Sequence, residues 1–330
     1  MRKRGMSDVF KYILVLIGGI ALLIFFISFG LKGAKLIKNV NAIEMSETLN
    51  DYFNAMNPSE NLVTNAEINS KIAMNFPECG YISVSTDGQN IENSARYSHI
   101  IFSPGVLSGN TNIWVREWKY PFRIANFFYL TPRNMKIYLV GNSNLVNELS
   151  CNVNNANPRQ AAVSCPSNAI DERFNVEKIT SADTNFIREH GNSMFVFFNS
   201  QAPVAGNAKV KSIKAENCED KDDDDECKGI VNFGDRQMFF VGKAMLYGAI
   251  FSEDSKNYEC GFEMAMERLK LVSGVYNEKR LMMTKLRPNC GRYSFSTSID
   301  TSSLMSMHNT MKGLKESNNN LAGVECGKLF

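Results

Sequence analysis

Three histidines, His99, His190 and His308, are the only imidazoles in the 330-residue chain, and general acid-base or nucleophilic catalysis would draw on them first. A Ser-His-Asp set is compositionally available. However, no Gly-x-Ser-x-Gly elbow and no His-Glu-x-x-His helix occurs, so each histidine is read as a structural or surface residue. The densest charge feature is CEDKDDDDEC, from Cys218 to Cys227, with seven carboxylates in ten residues. Hard cations such as Ca²⁺ want six to eight oxygen ligands, which makes Asp222, Asp223, Asp224 and Asp225 the candidate calcium ligands. The loop lacks the alternation and turn glycine of an EF-hand, so a solvated loop tied at its base is the first reading and no metal is expected elsewhere. Trp114, Arg116 and Trp118 in IWVREWKYPFR form a candidate binding surface, since aromatic and basic side chains together stack bases or sugars or face lipid headgroups. The same alternation also fits a half-exposed strand. Neither a GxxxxGK[ST] loop nor a GxGxxG turn is present, so no cofactor is expected.

The eight cysteines, Cys79, Cys151, Cys165, Cys218, Cys227, Cys260, Cys290 and Cys326, are too widely spaced for zinc ribbons or redox pairs, the closest two standing nine apart. Their even number and turn-rich, polar setting indicate disulfides in an oxidising compartment. Short loops favour Cys151 with Cys165 and Cys218 with Cys227. Cys260 with Cys290 would clasp a helical hairpin, which leaves Cys79 for Cys326.

These residues are held by elements that hydropathy divides into four stretches. Residues 1–11 are basic; 12–31 read YILVLIGGIALLIFFISFGL, twenty residues without a charge. At 1.5 Å per residue this is roughly 30 Å of helix, the thickness of a bilayer core, so the reading is a single transmembrane helix. A slight excess of Lys and Arg before it places the N-terminus in the cytoplasm, and the cysteines place 32–330 outside. Leu36, Ile37, Val40, Ile43, Leu49, Phe53 and Met56 predict a helical stalk over 32–57 that ends at Asn57-Pro58. From 58 to 330 follows a disulfide-stapled domain. In it, Thr64 to Glu67 reads as a capping box for a short helix ending before Pro77. Residues 79–255 are β-rich, with runs such as YISVS, FRIANFFYL, KIYLVG, MFVFF and RQMFFVG between Gly, Asn, Pro and Ser clusters. Residues 258–330 read as helices: a pair broken at Ser273-Gly274, then one with Leu304, Met307, Met311 and Leu314 on its apolar face. The fold class expected is an α/β or α+β ectodomain with a β-rich centre and C-terminal helices, preceded by the membrane helix and stalk.

Residues 1–38 carry a net charge of +6 and the remainder −4, which argues against a nucleic-acid-coating protein. No Asn-x-Ser/Thr sequon without proline occurs, in keeping with a prokaryotic surface. Arg2-Lys3-Arg4-Gly5, followed by the apolar stretch and the stalk, resembles the class III signal sequences of archaeal pilin-like proteins. That resemblance, confined to the first 55 residues, implies peptidase cleavage after Gly5 and packing of the apolar helix in a filament core. Asp8 and Lys11 interrupt the segment that would follow the cut, so an uncleaved anchor is the first reading. The functional expectation is a single-pass, membrane-anchored binding or structural protein of a prokaryotic cell envelope, with the lipid bilayer and envelope proteins as partners and a homo-oligomer compatible with it. A membrane-tethered hydrolase and a pilin-like filament subunit are the alternatives.

Overall fold

The computed structural model describes residues 48–67, 72–86, 89–150, 169–170, 173–203, 209–219, 226–287 and 303–323. The expected membrane helix, over 12–31, and most of the expected stalk, over 32–57, fall outside the described residues; among those described, no helix is long and apolar enough to cross a membrane.

The molecule is α+β, with a β-rich centre and C-terminal helices. Helix α1 runs over 48–56 and breaks at Asn57-Pro58. Among the described residues fourteen strands follow, gathered in three sheets. In the first, β1 (Asn61–Glu67), β7 (Asn110–Lys119), β8 (Arg123–Pro132) and β5 (Ile100–Phe102) lie side by side in that order. The second is antiparallel: β4 (Gln89–Arg96), β3 (Tyr81–Thr86), β2 (Ile72–Glu78) and β6 (Val106–Ser108). The helix expected between Thr64 and Pro77 is therefore two strands. Thr64 faces Ile113 across the β1–β7 ladder, and Pro77 falls within a register shift between Asn75 and Glu78, where a missing N–H costs least. A four-residue capping signal is weak beside a seven-residue ladder to a buried central strand.

Both faces of the first sheet are covered. Ile113, Val115, Phe128 and Leu130 join Leu49, Phe53 and Met56 of α1 in one cluster, while Trp114, Trp118, Phe127 and Tyr129 face the main core. That core is organised by α4 (Gly242–Phe251), which is buried at all ten positions, as expected of a helix apolar all round. Phe102 of β5 fits between α4 and α5 (Ser255–Leu286) because Gly248 and Gly261 give it room; a Cβ on either would stand 2.9 Å or 2.4 Å from its ring. Helix α5 is continuous through Ser273-Gly274, contrary to the expected break. Strong helix formers on both sides outweigh the roughly 1 kcal/mol that one half-buried glycine costs. Its fully buried positions end at Ser273, and beyond them Tyr276 and Met283 still pack, half-buried, against the main core, Tyr276 with its ring 4.6 Å from that of Phe122. Helix α6 (Leu304–Gly323) packs through Met307, Met311 and Leu314, and the buried hydroxyl of Tyr120 shares a 2.8 Å hydrogen bond with His308 Nδ1.

The third sheet runs β10 (Val176–Ile179), β9 (Ile137–Val140), β11 (Met194–Phe198), β12 (Val210–Glu216), β13 (Lys228–Asn232), β14 (Gln237–Val241). The first four strands are parallel and the last two antiparallel. Helix α2 (Asn144–Leu149) puts Leu145, Val146 and Leu149 into the main core, while α3 (Thr184–Glu189) covers Tyr138, Val140, Phe195 and Phe197 on the opposite face. Within this sheet Gly229 permits the close approach of β12 and β14, because a Cβ there would lie 2.1 Å from the Lys214 carbonyl oxygen and 2.5 Å from the Phe240 ring. Gly229→Ala is expected to destabilise the fold by about 3 kcal/mol, by overpacking against backbone that cannot yield. Urea unfolding checks this, and a loss below about 1 kcal/mol would contradict the packing described.

Two disulfides are present among the described residues: Cys218–Cys227, as the short loop suggests, and Cys79–Cys260, with Cα atoms 4.3 Å and 5.1 Å apart respectively. The second corrects the expected Cys260–Cys290 and Cys79–Cys326 pairings. The turn between β2 and β3 sits against the start of α5, 181 residues away in sequence, a proximity that only the packed fold creates. Cys151, Cys165, Cys290 and Cys326 lie outside the described residues.

Candidate functional site

Strand order in the third sheet reverses between β9 and β11. The chain leaves β9 toward β10 with α2 on one face, then returns past β9 to β11 with α3 on the other. Such a reversal opens a crevice at the carboxyl ends of the strands, where the connections diverge to opposite faces. At that edge lie Gly141-Asn142-Ser143 after β9, Asn199-Ser200 after β11 and Asn217 after β12. Ser143 caps α2, its hydroxyl accepting from Val146 N–H at 3.3 Å. Asn199 and Asn217 both adopt left-handed backbone, φ 53° and 56°, a conformation asparagine tolerates better than most residues. The Asn199 N–H donates to the Ile213 carbonyl at 2.9 Å, which fixes the end of β11 against β12.

A cleft of about 590 Å³ opens at this edge, lined by Leu145, Asn199, Ala215, Asn217, Cys218, Glu219 and Glu226. Leu145 and the Cys218–Cys227 disulfide make a buried floor; Asn199 and Glu219 are exposed on the rim and Glu226 is half-buried. Amide groups and carboxylates are thus its polar functions, and none of these described lining residues is basic. Such a lining repels anions and favours a cationic or amine-bearing polar molecule.

Two further clefts, of about 240 Å³ and 610 Å³, flank the Cys79–Cys260 disulfide. The smaller contains Lys256, Glu259 and Glu263, the larger Arg96, Glu263, Glu267 and Arg268. Mixed charge gives neither a clear preference for one ligand sign. Size does not separate the two larger clefts, of about 590 Å³ and 610 Å³; the position of the cleft beside Asn199 and Asn217 in the topology does.

The residues singled out by chemistry are not brought together. Trp114 and Trp118 are 2% and 0% exposed, which overturns the proposed binding surface. Trp114 Nε1–H donates to Asn61 Oδ1 at 2.7 Å, and the Trp118 ring packs 5.2 Å from Phe127. Arg116 donates to the Tyr247 hydroxyl at 3.2 Å, with its guanidinium over the Tyr247 and Trp114 rings. Alternation along β7 was legible, but a strand covered on both faces presents no aromatic surface.

The histidines occupy three separate clusters. His99 packs between Phe53 and Phe128, and burial, with Arg268 adding to it, holds its pKa below the usual value. His190 Nδ1–H donates to the Phe186 carbonyl at 2.9 Å beneath α3. His308 bonds Tyr120, and its pKa is also lowered, by burial first and by Lys228. Asp222, Asp223, Asp224 and Asp225 lie outside the described residues, and no group of three or more metal-ligating side chains is assembled among the described ones. The cleft itself escaped the sequence reading. Its signal was faint: the successive strands KIYLV, MFVFF and VKSIKAE are each followed by glycine or asparagine.

Comparison of the chain with protein-family models, with curated proteins and with solved structures finds no match.

Proposed function

We propose that this protein is a membrane-anchored, extracytoplasmic binding protein of a prokaryotic envelope, and that its ligand is a small cationic or amine-bearing molecule held in the cleft at the carboxyl ends of β9, β11 and β12. The observation that carries the reading is the cleft at the reversal of strand order, lined by Asn199, Asn217, Glu219 and Glu226. Disulfides Cys79–Cys260 and Cys218–Cys227 support an oxidising compartment. Residues 12–31 supply the anchor and the lipid bilayer is the first partner. The dispersed histidines give the hydrolase alternative no support.

Thermal unfolding of the detergent-solubilised full chain against free amino acids, polyamines and Ca²⁺ tests the reading. A ligand at one hundred times its Kd stabilises by about 2.7 kcal/mol, a readily visible rise in melting temperature. At least one positively charged probe is expected to produce it, and Glu219→Gln combined with Glu226→Gln to weaken binding roughly tenfold, the loss of about 1.4 kcal/mol of charge interaction. No response to any cation, or an equal response in the double variant, would overturn the assignment. Resistance of the chain to carbonate extraction tests the anchor separately.

A further inference from the structure

The two described disulfides differ in access. Cys218 and Cys227 are 1% and 0% exposed, whereas Cys79 is exposed at the surface and Cys260 is half-buried. An attacking thiolate reaches only a sulfur that solvent reaches, and exposed disulfides are the labile, exchanging ones. Cys79 also lines both the cleft of about 240 Å³ and that of about 610 Å³, together with Tyr97 and Glu263, so the two adjoin across the bond. Cys260 lines the smaller cleft only.

The surroundings suit an extended chain in the cleft and a thiolate leaving from Cys260. Asn257 Nδ2 is buried, lines the smaller cleft and meets no acceptor among the described residues, so it has a hydrogen to offer a peptide carbonyl. Lys256 lies one turn before Cys260 on α5 and lines the same cleft, where its charge favours a thiolate. The Tyr97 hydroxyl is 4.0 Å from Cys260 Sγ, and burial raises its pKa to about 12, which keeps it protonated and able to donate. Against these stand Glu263 and Glu259, the latter paired with Arg236.

We propose that the Cys79–Cys260 disulfide is a thiol-exchange site, opened by the dithiol of a second protein whose chain lies in the smaller cleft, with Cys79 the sulfur attacked and Cys260 the one that leaves. The reductant's first thiolate bonds to Cys79 Sγ as the Cys79–Cys260 bond breaks, and Cys260 departs as a thiolate. The reductant's second thiolate then attacks its partner sulfur in the mixed disulfide and releases Cys79. Two electrons pass to this chain, the two thiol protons end on Cys79 and Cys260, and the reductant is left as a disulfide. Opening the bond undoes the clasp between the β2–β3 turn and α5, leaving the second sheet to packing such as that of Ile82 and Leu107. The site is separate from the cleft beside Asn199 and Asn217, so failure of either reading leaves the other standing.

Reaction of the full chain, in detergent and without denaturant, with thioredoxin whose second active-site cysteine is replaced by serine tests this. The expected product is a mixed disulfide at Cys79, identified by peptide mass spectrometry, with Cys260 alkylated by N-ethylmaleimide and Cys218–Cys227 still closed. Two-cysteine thioredoxin is expected to free both Cys79 and Cys260 and again to spare Cys218–Cys227. Asn257→Ala is expected to slow the reaction with thioredoxin about fivefold, the worth of one hydrogen bond, and to leave that with dithiothreitol unchanged. A mixed disulfide at Cys260, opening of Cys218–Cys227 at a comparable rate, or no reaction of the native protein would overturn the proposal. So would an Asn257→Ala variant that reacts as fast as the wild type, or that is slowed equally toward dithiothreitol.

Discussion

Removing the Cys79–Cys260 disulfide, by Cys79→Ala together with Cys260→Ala, is expected to lower the free energy of unfolding by up to about 5 kcal/mol. The bond closes a loop of 181 residues, and the chain-entropy cost of closing a loop in the unfolded state rises with its length. It joins the turn at Gly80, whose carbonyl accepts from Tyr97 N–H at 2.8 Å, to the second turn of α5. Without it, attachment of the second sheet depends on packing such as that of Ile82 and Leu107 in the cluster with α1. The Cys218–Cys227 bond, nine residues apart, should contribute only about 3 kcal/mol by the same reasoning. Urea unfolding of both double variants beside the wild type gives the comparison. If deleting Cys218–Cys227 costs more than deleting Cys79–Cys260, the long-range clasp is not what holds these elements together.

The second large effect is a stability that increases into mildly alkaline solution. Lys211 of β12 is fully buried; its ammonium donates to the carbonyl of Ser252 at the C-terminus of α4 and lies 5.5 Å from the Phe233 ring. Burial lowers its pKa from 10.5 to about 7, with Glu253 and Asp254 pulling the other way. Between pH 7 and about 10 the unfolded chain therefore holds a proton that the folded one has released, and stability rises with pH. From pH 7 to 9.5 the gain is about 3 kcal/mol. Above that range Tyr97, whose pKa burial raises to about 12, works in the opposite direction, because only the unfolded tyrosine then ionises. Lys211→Met should erase most of the rise between pH 7 and 9.5. Melting temperatures of the two proteins across that window decide it, and an unchanged slope in the variant would show that Lys211 is not the titrating group.

Elements carried by their own residues were legible before any coordinates. The break at Asn57-Pro58, the apolar face Met307-Met311-Leu314 and the strands KIYLV and MFVFF each depend on local sterics or periodicity. Errors arose where distant partners decide. Thr64 to Glu67 looks like a helix start until β7 lies beside it, and Trp114 and Trp118 look like a surface until α4 and α5 cover the sheet. The candidate site was the least legible, because no motif marks it; Asn199 and Asn217 acquire meaning only through the order in which their strands lie.

Amino-acid order alone establishes the charge asymmetry, the uncharged twenty-residue stretch at 12–31, the even set of cysteines and a β-rich centre followed by helices. These follow from composition and short-range periodicity, which need no knowledge of what lies opposite. Tertiary structure alone decided that Cys79 meets Cys260, that Lys211 is enclosed beside the C-terminus of α4, and that a cleft opens at the ends of β11 and β12 beside Leu145 of α2. Each is a contact between residues far apart in the chain, set by how sheets and helices exclude water together, a quantity no local window contains.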